Sequence, residues 1–149
     1  MINSVGHIAI RTRNLERSLD FYTRILGLQE AFRLTHDDGR LMLIYLSAGN
    51  FTFIELFPPA EANSGTGHPD ANDVNASAGQ TQGFVHLCLH VDDINKTIAE
   101  LKQKGLPVQG EPIYGKDGNF QFWITDPDGN RIELMQIMPD SLQSKYARG

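Results

Sequence analysis

The sequence predicts an α+β fold built from two tandem βαβββ modules, and three observations carry that expectation. The stretch "VGHIAIRTRNL" (5–15) returns as "GFVHLCLHVDD" (83–93), each leading into a histidine that opens an alternating apolar run. Seven positions after each histidine (7 to 14, 86 to 93) stands Asn or Asp, followed by Leu or Ile. Each run then passes into a helical period and further extended segments, as an internal duplication would.

In the first module "HIAIRTR" reads as a strand, and Leu15, Leu19, Tyr22 and Leu26 recur at the spacing of one helix face. Asn14 suits the N-cap and Gly27 the position just past the helix end. Three strands are expected next, in "QEAFRL", "RLMLIYL" and "FTFIELF". In the second module "HLCLHV" is the strand, Asp92 or Asp93 the cap, Ile94, Ile98 and Leu101 the stripe, and Gly105 the stop. Its three strands are expected in "LPVQ", "FQFWIT" and "RIELMQI", with "DPDGN" (126–130) turning between the last two. The modules are placed at 1–57 and 83–138. Residues 58–82, rich in Pro, Gly, Ala, Asn and Ser and without apolar periodicity, are read as the linker. The polar tail, 139–149, is expected to fray, with room for a short helix.

Composition narrows the function. A chain of 149 residues with 40% hydrophobic and 21% charged residues describes a globular protein. A formal net charge of −5 argues against nucleic acid and anionic membranes as partners. No apolar run approaches the roughly 20 residues of a membrane span, and no signal peptide is visible at the N-terminus. A cytoplasmic protein that binds a small molecule is expected. The single cysteine, Cys88, allows neither an intrachain disulfide nor a Cys-based zinc site, and it reads as a small core residue.

The polar residues inside the strands carry the chemistry. Period-two alternation puts Glu55 on one face with Phe53 and Phe57, and Glu133 on one face with Arg131 and Met135. A carboxylate among apolar strand residues is costly unless paired, protonated or bound to a metal. His7 precedes Glu55 by 48 positions (7 to 55), and His86 precedes Glu133 by 47 (86 to 133). A lone strand histidine is ordinarily structural; two His and two Glu at matched places of a duplicated unit point to metal ligands. His90, near a strand end, reads as a rim residue, and His36 and His68 as solvated loop residues. Phe122 and Trp123 alternate onto opposite faces.

Those residues resemble a known family. "GHIAIRTRNLERSLDFYTRILGL", "FIELF", "GFVHLCLHVDDI" and "DPDGNRIELMQ" are similar to the vicinal oxygen chelate superfamily, in its glyoxalase I (lactoylglutathione lyase) branch. The resemblance implies one domain over about 4–138, its modules forming a half-barrel-like mixed sheet around a metal site. It implies His7, Glu55, His86 and Glu133 as ligands of one divalent ion per site, with Zn²⁺ or Ni²⁺ suited to two imidazoles and two carboxylates. The reaction implied is that of a lyase, isomerising the hemithioacetal of a 2-oxoaldehyde such as methylglyoxal and a thiol through an ene-diolate. Glu133 is the first choice for the base and Glu55 its partner. Arg11 matches an arginine that such enzymes use on a glutathione carboxylate, Lys116 could meet an anion, and Phe53 and Phe57 could wall the site. "FPP" after Glu55 departs from the polar residue usual there in glutathione-dependent enzymes and leaves the thiol open. A homodimer is implied. The alternatives are an extradiol-type Fe(II) dioxygenase, which the fourth ligand Glu55 disfavours, and a metal-free bleomycin-resistance-type binding protein, which has no use for two buried carboxylates.

Overall fold

A computed structural model describes residues 4–59 and 84–148. From residue 60 onward the linker, with His68, lies outside the described residues. The chain divides into two compact units, Met1–Phe84 and Val85–Gly149. Each holds one four-stranded mixed sheet, and together they make the α+β arrangement of two βαβββ modules.

In the first unit, strand β1 (His7–Arg11) leads to helix α1 (Leu15–Asp20) and then to β2 (Gln29–Thr35), β3 (Leu41–Ser47) and β4 (Phe53–Phe57). The sheet order is β1-β4-β3-β2, with β1 parallel to β4 and the other pairs antiparallel. Asn14 caps α1 as expected, its Oδ1 accepting from the Arg17 N–H at 3.0 Å. The helical stripe differs from expectation. Phe21–Ile25 form a π-turn, in which the Leu26 N–H reaches the Phe21 carbonyl at 2.9 Å. The wider turn rotates the face, so Ser18, Phe21, Tyr22 and Ile25 are buried while Leu15, Leu19 and Leu26 are half-buried. Gly27, at φ 80°, closes the helix, and the Leu28 N–H reaches back to the Tyr22 carbonyl at 3.0 Å. Phe51 lies outside β4, exposed in the preceding turn.

The second unit repeats the plan: β5 (Leu87–His90), α2 (Ile94–Gln103), β6 (Ile113–Tyr114), β7 (Phe120–Thr125) and β8 (Arg131–Gln136). The order is β5-β8-β7-β6, again with the outer β5 parallel and the rest antiparallel. Asp93, rather than Asp92, caps α2, its Oδ1 accepting from the Lys96 N–H at 2.9 Å. "LPVQ" is not a strand; the short β6 comes later, where Ile113 and Tyr114 pair with Gln121 and Phe120. The hairpin between β7 and β8 is an Asx turn. Asp126 is buried, its Oδ1 accepting from the backbone of Asp128 and Asn130 at 2.9 and 2.8 Å and its Oδ2 from the Asn130 amide at 2.8 Å.

Strand alternation sorts each sheet into two faces. Ile44, Leu46, Ile54 and Leu56 form one apolar layer in the first unit, where Tyr22, Phe21 and Ile25 are also buried. Phe122, Ile124, Ile132 and Leu134 form the equivalent layer in the second, where Ile94, Ile98 and Leu101 of α2 are buried and α2 packs on β7 and β8. Each fully buried Ile or Leu contributes roughly 1.5–3 kcal/mol over an exposed one. The opposite faces are left for other uses.

The tail is pinned rather than frayed. Helix α3 (Leu142–Arg148) follows Ser141, which is fully buried. Asn119, also fully buried, donates its amide to Asp117 Oδ2 at 2.9 Å and Gln143 Oε1 at 2.8 Å, and accepts from the Met138 N–H at 2.9 Å. Gln143 Nε2 donates to Asp117 at 2.8 Å. The amide donors of Asn119, with Gln143 adding to them, hold the Asp117 carboxyl below its ordinary value of 3.8. A depressed carboxylate stabilises the fold above its unfolded pKa, and that contribution is lost as pH falls through the folded value. Acidification below the ordinary Asp value is therefore expected to loosen α3 first. Hydrogen exchange of the α3 amides should accelerate there before those of β7 and β8; simultaneous loss would refute the clasp.

Candidate functional site

In the first unit the face opposite the apolar layer carries His7, Phe53, Glu55 and Phe57. Parallel register sets His7 beside Phe53, Ala9 beside Glu55 and Arg11 beside Phe57. The His7 Nε2 stands 3.5 Å from Glu55 Oε2, and the Glu55 side chain is 10% exposed. Antiparallel register places Tyr45 across from Glu55 on the other side. The Tyr45 hydroxyl hydrogen-bonds the Glu55 carboxylate; that bond, with burial and the negative charge, raises the phenol above its ordinary 10.0. Tyr45 also stacks on Phe32 (4.4 Å between centroids), meets Phe53 edge-on (5.7 Å) and lies 6.3 Å from His7.

The second unit builds the same arrangement with different neighbours. Cys88 is opposite Glu133 in parallel register, so His86 stands two residues before that partner, as His7 stands two before Ala9. The His86 Nε2 is 3.0 Å from Glu133 Oε2, and the Glu133 side chain is only 6% exposed. Trp123 occupies the place of Tyr45, directly across from Glu133, with its ring edge-on to His86 at 4.9 Å. The Arg131 guanidinium lies over the Trp123 ring at 4.4 Å. Burial first, and then the charge of Glu133, pushes the Cys88 thiol up to about 11, so it stays protonated near neutrality and is no nucleophile.

Each unit thus brings together one expected His and one expected Glu. Two donors on a single divalent ion, bound at about 2.0–2.2 Å each, stand roughly 3.0–3.5 Å apart, and both pairs meet that spacing. The His86 Nδ1 is buried without a hydrogen-bond partner among the described residues. Nitrogen and carboxylate donors of this kind fit a borderline divalent cation. Among the described residues no group of three or more such side chains is gathered.

The other expected residues are placed as follows. Arg11 donates from one terminal nitrogen to the Pro58 carbonyl at 3.1 Å and lies 5.4 Å from the Phe57 ring centre. Lys116 is exposed in the turn between β6 and β7 and makes no hydrogen bond or ion pair with His86 or Glu133. His90 is exposed beside Met135, and His36 is exposed in the β2–β3 turn. Tyr45 was not foreseen. Its position opposite Glu55 follows from the β3–β4 register, and "LMLIYLS" alone does not specify that register. No helix among the described residues is long and apolar enough to cross a membrane.

Comparison with known proteins places the chain in a family. A probable lactoylglutathione lyase of Synechocystis sp. is 33% identical over 134 residues, covering 87% of this chain and 92% of the relative. The lactoylglutathione lyase of Pseudomonas aeruginosa is 28% identical over 162 residues, covering 97% and 86% respectively. An antibiotic binding protein from a Streptomyces species shares the fold, with a TM-score of 0.64 at 23% identity over 92% of this chain and 98% of its own. The family profile described as glyoxalase/bleomycin resistance protein/dioxygenase superfamily matches residues 4–134. With His/Glu pairs repeated in register on two βαβββ sheets and a profile match over nearly the whole chain, this protein belongs to the glyoxalase/bleomycin resistance protein/dioxygenase superfamily.

Proposed function

We propose that this protein is a metal-dependent lyase of the glyoxalase I type, isomerising the hemithioacetal of a 2-oxoaldehyde and a thiol. One observation carries the reading: two buried carboxylates, each within 3.5 Å of a histidine Nε2, at register-equivalent positions of a duplicated module. His7, Glu55, His86 and Glu133 are the proposed ligands of the divalent ion. The names of the lactoylglutathione lyase relatives support the same chemistry.

A divalent ion held there would polarise the two adjacent substrate oxygens and offset the negative charge that grows on them. The chain's own groups do the rest. Glu133 takes the proton from the carbon bearing sulfur and returns it to the neighbouring carbon, a transfer its carboxylate can make in both directions. Tyr45 anchors Glu55, and Phe53 and Phe57 flank it along β4 on the same face. Arg11 and Lys116 are the proposed outer contacts for an anionic thiol.

The test is metal content and turnover on the same sample. Purified protein should carry about one divalent ion per four-ligand set and convert methylglyoxal–thiol adducts to the thioester; stripping the ion should abolish this and restoring it should recover it. Undiminished turnover after stripping overturns the reading. The stacked Phe32–Tyr45 pair beside Phe53 favours a second reading, a binding protein for a flat aromatic molecule. That reading expects no metal and no turnover.

A further inference from the structure

The face of the second sheet contains a cation for which the reaction chemistry so far has no use. Arg131 lies two residues before Glu133 on β8, on the same face, opposite Thr125. One step back from the Leu87–Ile132 pair in parallel register, it stands beside His86. Its guanidinium is 4.4 Å from the Trp123 ring centre, and the same ring meets His86 at 4.9 Å. Arg131 is exposed and forms no ion pair among the described residues.

We propose that Arg131, held over the Trp123 ring, is a specificity-determining residue that binds a carboxylate of the substrate's thiol portion. This rests on the lyase reading above. With the Trp123 ring on one side and no ion pair among the described residues, the guanidinium keeps N–H groups that can take a carboxylate with two parallel hydrogen bonds. The indole restrains a long side chain that would otherwise lose rotamer freedom on binding. Glu133 makes the need plain, since an anionic substrate approaching a buried carboxylate is repelled unless a cation stands beside it. Arg11 differs in setting: one of its terminal nitrogens already donates to the Pro58 carbonyl.

The chain has a single tryptophan, Trp123, so its emission reports directly on this place. The probes are S-methylglutathione and its diethyl ester, titrated against metal-loaded protein, with calorimetry alongside in case Arg131→Ala alters the emission. The acid should bind saturably and more tightly than the diester. Arg131→Ala should weaken the acid about tenfold, the effect of losing roughly 1.4 kcal/mol, and Arg131→Lys should recover part of it. The diester should be indifferent to both substitutions. Equal weakening of acid and diester would show a packing role only and overturn the proposal, as would wild-type affinity in Arg131→Ala, no preference for the acid, or no binding of the acid. Failure of the lyase reading shows separately, as absence of a bound divalent ion or of turnover with every methylglyoxal–thiol adduct tried, charged or neutral.

Discussion

Glu133→Gln is expected to lower turnover by about 100- to 10,000-fold, the range for removing a positioned general base. The amide keeps the size and shape of the side chain but cannot accept a proton. The two carboxylates are not equivalent, although the backbone treats them alike. Across from Glu55 stands Tyr45, whose hydroxyl occupies the carboxylate as a donor. Across from Glu133 stands Trp123, and its other strand neighbour, Cys88, offers a thiol, a weak donor. From its strand neighbours Glu133 thus meets the weaker donor, while His86 Nε2 stands 3.0 Å from its Oε2. Glu55→Gln should therefore lose metal as well as turnover, whereas Glu133→Gln should lose proportionally more turnover than metal. The check is turnover per bound ion in both variants. If Glu133→Gln retains a tenth or more of wild-type turnover per ion, the base lies elsewhere.

Asn119→Ala should cost on the order of 3 kcal/mol of stability, the largest loss expected outside the apolar layers. Asn119 is fully buried and makes three side-chain hydrogen bonds, to Asp117, Gln143 and the Met138 N–H. Removing it strips partners from groups that remain in place, and each buried unsatisfied group costs about 1–3 kcal/mol. The substitution also releases the junction at which the Leu142 N–H meets the Asp117 carbonyl, 2.9 Å away, so α3 should detach. Chemical denaturation with a lower midpoint is the expected signature. Gln143→Ala removes a single partner, at a position more open to water, and should cost well under half as much. Equal losses for the two would contradict the ranking.

Much of this was legible without coordinates, because it depends on local chemistry. Asn14 and one of Asp92 and Asp93 are caps by their side chains, Gly27 ends a helix because its φ of 80° is open to it, and "DPDGN" is a turn because Asp126 can fold back on its own backbone. The period-two pattern likewise puts Glu55 and Glu133 on faces away from Ile54 and Ile132 whatever the strands' partners. The duplication then pairs each Glu with a His at matching distance along the chain. Where local signals are weak, the reading misplaced the elements. "LPVQ" has strand-like residues but no partner strand beside it, and Leu15, Leu19 and Leu26 fit a helix of regular pitch that a π-turn at Phe21–Ile25 widens. The polar tail looked free because its anchor, Asn119, lies 24 residues from Gln143 in the chain.

The amino-acid sequence by itself determined the two modules, their order of elements and the four residues to which a metal chemistry points. Tertiary structure decided what stands next to them. Strand order β1-β4-β3-β2 and its repeat set each His beside its Glu, and antiparallel register chose Tyr45 for Glu55 and Trp123 for Glu133. A one-residue slip would have turned Tyr45 to the opposite face, into the apolar layer. Register is a cooperative outcome of the whole sheet, fixed by burying Ile44, Leu46, Ile54 and Leu56 together, and no single segment encodes it.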